Sequence, residues 1–259
     1  MDLGLDGRVA VVTGASRGIG LETTLCLVEA GVRVVAGALR SSAELDGLAA
    51  GGSVEVVLGD LSEPEGPGRL VAAAGPRVDI LVNNVGAVAT RPGGFLDITD
   101  AQWRASLELD LMSAVRAVRA ALPLMLASGR GVIATVGSVN AFLPDPLVLD
   151  YGAAKAALVN ALKALSKEVG PRGVRVVTVN PGPVATDLWL SGSGVAAQVA
   201  QRTGQSPQEV ADAAVAGAAT RRFTTPREVA QLIVLLASDC AANVTGAGLT
   251  VDGGLVPTL

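Results

Sequence analysis

Short apolar runs rich in β-branched residues alternate along the chain with longer stretches of helical periodicity. The pattern predicts strands at residues 8–13, 32–37, 54–58, 79–83, 131–137, 174–180 and 249–251, and helices at 19–30, 100–126, 150–169 and 226–238. Strands that are apolar on both faces and alternate with helices are typical of a parallel sheet that helices cover on both sides. The sequence therefore predicts a doubly wound α/β fold, and its 259 residues fit a single domain, 1–259.

One segment departs from this alternation. From Thr186 to about Thr225, small residues, polar residues and short stretches of helical periodicity follow one another. The segment contains Ser191-Gly192-Ser193-Gly194. Such a length is unusual for a connection in a compact domain and is typical of a lid or a binding loop. We expect a substrate lid at about 187–225. The alternative is a surface loop without a function.

The composition restricts the cellular setting. Half of the residues are hydrophobic and the mean hydropathy is +0.49, yet charges, prolines and glycines interrupt every long apolar stretch, so we expect no membrane span. The N-terminal residues lack the basic and apolar regions of a signal peptide, which favours a cytoplasmic protein. We expect Cys26 and Cys240 to be reduced rather than joined as a disulfide.

The chain has no histidine and a net charge of −4. The missing histidine excludes Ser-His-Asp triads, Cys-His dyads and histidine-ligated zinc, and we expect no metal. The basic residues are scattered, which argues against nucleic-acid binding. Proton chemistry near neutral pH must therefore use another side chain with a shifted pKa.

A glycine-rich turn follows the first predicted strand. Residues 13–20 read Thr-Gly-Ala-Ser-Arg-Gly-Ile-Gly, so that the glycines have the spacing G-x-x-x-G-x-G. Glycine lets a pyrophosphate approach the N-terminus of the following helix, whose free N–H groups favour an anion. The residues predicted to hold a dinucleotide here are Gly14, Ser16, Arg17, Gly18, Ile19 and Gly20; an ordinary strand-to-helix corner is the alternative.

The end of the second predicted strand selects between the two nicotinamide dinucleotides. An acidic residue there would bind the ribose hydroxyls and repel a 2′-phosphate, but the chain has Gly37-Ala38-Leu39-Arg40. The guanidinium groups of Arg40 and Arg17 suit a 2′-phosphate. NADP(H) is therefore favoured over NAD(H), with a solvated surface charge as the alternative for Arg40.

Tyr151 and Lys155 are four residues apart at the start of a predicted helix and project from one face. An ammonium group and an oxidised nicotinamide both favour phenolate, so we expect them to lower the pKa of Tyr151 and make it an acid/base group. Ser138 follows a predicted strand and offers a hydroxyl for the substrate carbonyl oxygen. A Y-x-x-x-K spacing alone occurs by chance on many helices.

Together these motifs resemble the short-chain dehydrogenase/reductase family, in its compact single-domain branch that includes 3-oxoacyl-acyl-carrier-protein reductases. The resemblance extends from about Leu5 to Gly254. It rests on residues 13–20, Asp60-Leu61, Asn83-Asn84-Val85-Gly86, Ser138, Tyr151 with Lys155, residues 180–186 and Val251-Asp252-Gly253-Gly254. It implies a Rossmann-type parallel sheet of seven strands in the order 3-2-1-4-5-6-7, and an assembly as a homotetramer or homodimer through the two long helices.

The resemblance also implies residue roles. Asp60 would bind the adenine amino group and Leu61 would line the ring, although a helix N-cap is an alternative for Asp60. Asn84 would lie beside the cofactor ribose, with Asn83 mainly structural, and Lys155 would bind the nicotinamide ribose. The remaining cofactor residues that the motifs imply are Gly86, Pro181, Gly182, the backbone of Val184, and Thr186.

One position departs from the family pattern. Members usually carry asparagine in the long helix, where it holds a water that links the lysine to solvent, and this chain has Asp110 there. Aspartate can accept a hydrogen bond from the same water, but its charge would offset part of the Lys155 charge and disfavour the tyrosinate. A locally satisfied aspartate without a role in proton transfer is the alternative.

We expect residues 88–95, 139–149 and 188–204 to form the wall of the substrate pocket, with mostly apolar side chains: Val88, Phe95, Phe142, Leu143, Leu147, Leu188, Trp189 and Leu190. Arg91, Arg221 and Arg222 are candidates for the rim. The apolar side chains indicate a hydrophobic ketone or secondary alcohol. The leading hypothesis is an NADPH-dependent ketoreductase acting on a 3-oxoacyl thioester or a polyketide-like ketone. The alternatives are an NAD-dependent alcohol dehydrogenase and, more remotely, a non-catalytic nucleotide sensor.

Overall fold

Seven strands form one parallel sheet. The computed structural model describes residues 2–258. The strands are β1 (Val9–Thr13), β2 (Arg33–Ala38), β3 (Val54–Leu58), β4 (Ile80–Asn83), β5 (Gly131–Val136), β6 (Val174–Pro181) and β7 (Gly248–Val251). Their order is β3-β2-β1-β4-β5-β6-β7, and each neighbouring pair is parallel. The strand order that the resemblance implied is confirmed.

Helices cover both faces of this sheet. They are α1 (Gly18–Glu29), α2 (Ala43–Ala50), α3 (Gly66–Ala73), α4 (Asp100–Leu107), α5 (Ser113–Ser128), α6 (Leu149–Val169), α7 (Asp187–Leu190), α8 (Val195–Thr203), α9 (Pro207–Ala216) and α10 (Pro226–Ala237). Adjacent residues of β1 show the two faces. Val12 packs in one apolar cluster with Leu27 of α1, whereas Val11 packs in another with Met125 of α5. The doubly wound class is therefore confirmed.

Local sequence signals begin several of these helices. Thr99, Ser206 and Thr225 each accept a backbone N–H three residues later, and the side chain found there, glutamine or glutamate, accepts the N–H of the capping residue in return. This reciprocal capping satisfies two donors that a helix start leaves free. These three residues fix where α4, α9 and α10 begin.

The long helix predicted at 100–126 is not uniform. Between α4 and α5 the chain makes a π-helical turn, Glu108–Met112, whose wider winding inserts one residue into the helix. Asp110 lies in this turn and is buried. The hydrophobic periodicity did not reveal the turn, because one inserted residue does not interrupt the helical run from Asp100 to Ser128.

By length and composition the continuous helical run Asp100–Ser128 could cross a membrane. In the fold its second part, α5, packs on α3 and on the central strands, while its first part, α4, packs on α6. Ala117, Ala121 and Met125 on its inner face are fully buried. A core helix of this kind meets the same compositional criteria as a membrane span.

Three helices, α7, α8 and α9, lie between β6 and α10, in the segment expected to form a lid. α8 and α9 pack on each other through a small apolar cluster of Ala196, Ala200, Val210 and Ala211. Trp189 of α7 contacts Phe223 edge to face, with ring centroids 5.7 Å apart. The segment is therefore a helical layer with a hydrophobic interior of its own.

Candidate active site

A cavity of about 710 Å³ opens at the carboxyl ends of the parallel strands. Residues that follow β1, β4, β5 and β6 line it, together with the first turns of α6 and parts of α7, α8 and α9. The strand order reverses between β1 and β4, and such switch points are where open α/β sheets bind ligands. This cavity therefore lies where the motifs predicted a dinucleotide site.

Thr13 and Asn84 hold the glycine-rich turn in place. The Thr13 hydroxyl accepts the backbone N–H groups of Asn84 (2.9 Å) and Val85 (3.0 Å). The Asn84 side-chain amide donates to the carbonyl oxygens of Thr13 and Gly14, both at 3.0 Å. The turn after β1 is thus fastened to the turn after β4. Thr13 was missed as a site residue, and the signal that could have found it is the hydroxyl at the last position of β1.

Close backbone approach explains the glycines of this turn. A Cβ at Gly20 would lie 2.1 Å from the carbonyl oxygen of Gly14 and 2.5 Å from the Asn84 amide nitrogen. Gly14 and Gly18 have φ values of +67° and +54°, which favour glycine. The N-cap residue of α1, Arg17, makes no side-chain hydrogen bond to the helix. The turn therefore presents free N–H groups to the cavity, and its shape fits a pyrophosphate.

Most of the sequence-predicted cofactor residues line this cavity: Gly14, Ser16, Arg17, Gly18, Ile19, Asn84, Gly86, Tyr151, Lys155, Pro181, Gly182, Val184 and Thr186. Gly20 lies behind them, packed on Gly14. Arg40, Asp60 and Leu61 are not part of the lining. Arg40 is exposed, and Leu61 is buried in the core.

Asp60 does not cap a helix. Its carboxylate accepts the backbone N–H of Ser62 at 2.8 Å and the Ser62 hydroxyl at 2.7 Å, whereas α3 begins later, at Gly66, after the N-cap Glu65. These bonds hold the pKa of Asp60 below its ordinary value. The alternative role of helix N-cap is therefore wrong, and the side chain stabilises the turn after β3.

Ser138, Tyr151 and Lys155 come together at the cavity wall. Ser138 follows β5, and the other two lie one turn apart in α6. The Lys155 ammonium donates to the carbonyl oxygen of Val136 at 3.1 Å and lies 5.7 Å from the centre of the Tyr151 ring. The structure thus brings together the three groups expected to do the chemistry.

The Ser138 hydroxyl is held by Asn140. It donates to the Asn140 side-chain oxygen at 3.2 Å and accepts the Asn140 backbone N–H at 3.1 Å. The Asn140 amide nitrogen donates in turn to the carbonyl oxygen of Leu143 at 3.3 Å, which fixes the orientation of the side chain. Asn140 lines the cavity and was missed by sequence reasoning, since its position depends on a short 3-10 turn after Ser138.

The protein alone does not acidify the tyrosine. Burial raises the pKa of Tyr151 well above its ordinary value; the Ser138 hydrogen bond lowers it, and the negative charge of Asp110 raises it further. Burial also lowers the pKa of Lys155, against the attraction of Asp110. Burial is thus the largest influence on the pKa of the phenol, and it opposes the lowering that was expected from Lys155. The lowering expected from an oxidised nicotinamide stays a prediction.

Asp110 approaches the same region from the π-helical turn. One carboxylate oxygen accepts the backbone N–H of Ala87 at 3.1 Å, and the other is buried without a hydrogen-bond partner among residues 2–258. A Cβ at Gly86 would lie 2.7 Å from the first oxygen and 3.2 Å from the Lys155 ammonium, so glycine is required there. Burial raises the pKa of Asp110 to about 6, and the positive charge of Lys155 lowers it in part.

The distal wall of the cavity is apolar. Of the expected residues, Val88, Leu143, Leu147, Leu188 and Trp189 line it, whereas Phe95, Phe142 and Leu190 are exposed elsewhere. Phe95 packs edge to face on Trp103, with centroids 6.4 Å apart. Val139, Val148, Val195 and Val199, which lie within the segments expected to wall the pocket, also line it, whereas Val210, Ala213, Ala214 and Leu255 lie outside those segments and were missed. Three of these four belong to α9, whose packing the sequence did not disclose.

Comparisons with known proteins agree with this geometry. A family model for enoyl-(acyl carrier protein) reductase matches residues 14–256. The 3-oxoacyl-[acyl-carrier-protein] reductase FabG of Thermotoga maritima is 32% identical over 97% of this chain and 99% of its own length. The chain belongs to the short-chain dehydrogenase/reductase family. It is therefore an oxidoreductase of a nicotinamide-dependent family, as the motifs indicated.

Members of this family with different substrates are similarly close to the chain. D-threitol dehydrogenase of Mycolicibacterium smegmatis is 34% identical over 98% of this chain and 94% of its own length. The crystal structure of L-sorbose reductase from Gluconobacter frateurii, complexed with NADPH and L-sorbose, matches with a TM-score of 0.90 and 32% identity over 100% of both chains. Family membership therefore leaves the substrate to be argued from the cavity.

Proposed function

We propose that the protein is an NADP(H)-dependent ketoreductase that reduces a hydrophobic ketone, such as a 3-oxoacyl thioester or a polyketide-like ketone, to a secondary alcohol. The observation that carries the proposal is the meeting of Ser138, Tyr151 and Lys155 in one cavity whose distal wall is mainly apolar. The reductase relative from Thermotoga maritima supports the reaction class, and the NADPH-bound relative supports the cofactor.

In this proposal the bound nicotinamide supplies the hydride, and the side chains of the chain control the proton. Tyr151 is the general acid: its raised pKa keeps the proton on the phenol until an alkoxide develops beside it. Ser138 donates to the same substrate oxygen after exchanging its bond to Asn140 for one to substrate. Lys155 binds the nicotinamide ribose and stabilises the tyrosinate that remains.

The preference for NADP(H) rests on two guanidinium groups. Arg17 lines the cavity at the start of α1, and Arg40 is exposed just beyond the end of β2. Residues 37–40, at the end of β2, carry no carboxylate that would repel a 2′-phosphate. Asp60 and Leu61 remain proposed contacts of the adenine, and residues 187–225 remain the proposed lid.

The substrate end of the cavity favours an apolar molecule. Three of its polar side chains are already bonded within the protein: Asn140 to Ser138 and Leu143, Thr90 to Gln198 of α8, and Asp145 to the backbone of Leu147. Asp187 also lines the cavity, where it is exposed. A sugar with many hydroxyl groups would find few free partners here, and each unpaired polar group costs about 1–3 kcal/mol. NAD-dependent oxidation of a polyol, which the D-threitol dehydrogenase relative suggests, is the second candidate.

A substrate panel tests the proposal. We expect turnover of an N-acetylcysteamine 3-oxoacyl thioester with NADPH, with catalytic efficiency at least about tenfold above that for L-sorbose. Tyr151→Phe should abolish turnover and leave NADPH binding unchanged. Faster oxidation of D-threitol with NAD⁺ would favour the second candidate, and NADPH binding without turnover of any ketone or alcohol would favour a nucleotide sensor.

A further inference from the structure

A buried ion pair lies next to the tyrosine. The guanidinium of Arg91 donates through Nε and Nη2 to one carboxylate oxygen of Asp150, at 3.0 and 2.5 Å. The hydroxyl of Ser106 in α4 donates to the same oxygen at 2.7 Å. The Asp150 side chain is 1% exposed and that of Arg91 13%. Three donors thus converge on one carboxylate oxygen inside the protein, and Arg91 does not lie at the substrate rim.

The pair belongs to the start of the catalytic helix. Asp150 directly precedes Tyr151 in the first turn of α6. The backbone N–H of Arg91 also donates to the carbonyl oxygen of Leu147, just before that helix, at 2.7 Å. The loop after β4 is therefore attached to the N-terminus of α6 by both its main chain and its side chain. A displacement of this loop would move the turn that carries the phenol.

The same loop has two further attachments. The hydroxyl of Thr90, the residue before Arg91, donates to Gln198 of α8 at 2.9 Å. The N–H of Ala87 donates to Asp110 in the π-helical turn. Since α8 forms part of the cavity wall, one short loop joins the wall over the substrate to the helix that bears Tyr151.

The pair is also electrostatically balanced. Burial alone would raise the pKa of Asp150, but the hydrogen bonds from Arg91 and Ser106 hold it below its ordinary value. The ionised Asp150 is one of the groups that raise the pKa of Asp110, after burial and against Lys155 and Ala87. Without Arg91 the carboxylate beside the tyrosine would be buried and uncompensated, a costly arrangement.

We propose that Arg91 and Asp150 are positioning residues for Tyr151. The salt bridge between them fixes the first turn of α6 and so aims the phenol into the cavity. The inference rests on the proposed function for its catalytic meaning. Neither side chain touches the reacting atoms. They act through the backbone of α6 and through the charge balance around the phenol.

Variants of the pair test this role. Arg91→Met should lower kcat roughly ten- to hundredfold, the loss expected when a reacting group is displaced by about 1 Å, and should leave the NADPH dissociation constant within about twofold. Arg91→Lys should retain an intermediate kcat, because it restores the charge without the two-pronged geometry. Arg91→Met/Asp150→Asn, which removes the uncompensated buried charge but does not restore the bridge, should be more stable than Arg91→Met and keep a kcat about as low. A kcat in the double variant equal to that of the original protein would overturn the positioning role of the salt bridge.

A spectroscopic readout makes the test independent of turnover. Tyr151 is the only tyrosine of the chain, so tyrosine labelled at the Cζ carbon gives one resonance in the protein without cofactor. We expect this resonance to move in Arg91→Met and in the double variant, both of which lack the bridge, and to stay in place in the control Arg8→Met. Arg8 is similarly buried, at 11% exposure, in a pair with Asp239 before β1.

The two proposals fail in different ways. An unmoved resonance and an unchanged kcat in Arg91→Met would refute the positioning role and leave the ketoreductase proposal intact. If the resonance moves in Arg91→Met but the protein with its original sequence reduces no ketone, the ketoreductase proposal is refuted and the structural role of the pair is kept. If Arg91→Met does not fold, Arg91→Lys and the double variant still give both readouts.

Discussion

Asp110 and Lys155 shift each other's pKa in the direction opposite to burial. Burial raises the pKa of the Asp110 carboxyl to about 6, and the Lys155 ammonium draws it back down. Burial lowers the pKa of Lys155, and the Asp110 carboxylate draws it back up. Each group thus offsets part of the pKa shift that burial causes in the other. Both lie at the edge of the site and are almost inaccessible to solvent. Asp110 is therefore the residue through which pH should act on this protein.

The first prediction concerns the pH dependence of turnover. The Asp110 carboxylate is one of the causes that raise the pKa of Tyr151, after burial. Asp110→Asn removes that charge and keeps an acceptor for Ala87. We expect activity to persist and the pH optimum of alcohol oxidation to move to lower pH, as measured by pH–rate profiles of the two proteins. An unchanged profile would show that Asp110 has no electrostatic effect on the phenol.

The second prediction concerns stability. A group whose pKa is raised in the folded state stabilises that state most when it is protonated, and the contribution is lost as the pH rises through the folded pKa. For Asp110 this window runs from its ordinary value of 3.8 to about 6. Between pH 4 and pH 8, the free energy of unfolding of Asp110→Asn should rise relative to the original protein by on the order of 2 kcal/mol.

Urea denaturation at several pH values measures this difference. The comparison is internal, because all other titrating groups are shared by the two proteins. A difference that stays constant from pH 4 to pH 8 would mean that Asp110 titrates at its ordinary pKa in the folded state.

The third prediction concerns the glycine-rich turn. At Gly20 a Cβ would collide with the carbonyl oxygen of Gly14, so Gly20→Ala should displace the turn. We expect at least a tenfold weaker binding of NADPH and a loss of about 1–3 kcal/mol in stability, the usual range for overpacking. Fluorescence titration and thermal denaturation measure the two effects.

Gly68 in α3 provides a matched control. Nothing lies within 4 Å of a Cβ built at that position. Gly68→Ala should therefore leave NADPH binding unchanged and stabilise the protein by roughly 0.5–1 kcal/mol, because alanine favours a helix. Equal effects of the two substitutions on binding would remove the steric argument for Gly20.

The fourth prediction separates the two dinucleotides. Arg17→Gln and Arg40→Gln should each raise KM for NADPH roughly tenfold, since a charge-assisted hydrogen bond to the 2′-phosphate contributes about 1.5–3 kcal/mol. KM for NADH, which has no 2′-phosphate, should change much less. Parallel losses with both cofactors would show that these side chains do not select the phosphate.

The strand and helix pattern of the sequence was sufficient to predict the sheet, because β-branched runs such as Val9–Thr13 are buried on both faces and must be covered on both sides. The grouping of Ser138, Tyr151 and Lys155 was also predictable, because Ser138 follows the end of a strand and the other two have the spacing of one helical turn. These features depend on contacts that are local in the sequence or on the regular geometry of a parallel sheet.

The features that were not predicted depend on packing between distant segments. The pairing of Arg91 with Asp150 joins a loop to a helix that lies 59 residues further along the chain, and no local pattern marks it. The burial that raises the pKa of Tyr151 was not foreseen either, because a charge four residues away is visible in the sequence whereas desolvation is not. The part of the cavity wall that α9 contributes, at Val210, Ala213 and Ala214, was not foreseen for the same reason.

The absence of histidine has a consequence for how this protein can be studied. Imidazole usually dominates the exchange of protons between a protein and buffer near pH 6, and here there is none. Within residues 2–258, Asp110 is the side chain whose pKa is brought to about 6. Calorimetry of NADPH binding near pH 6, in buffers of different ionisation enthalpy, should therefore detect a proton exchange that Asp110→Asn removes, once the ionisation of the ligand itself is subtracted.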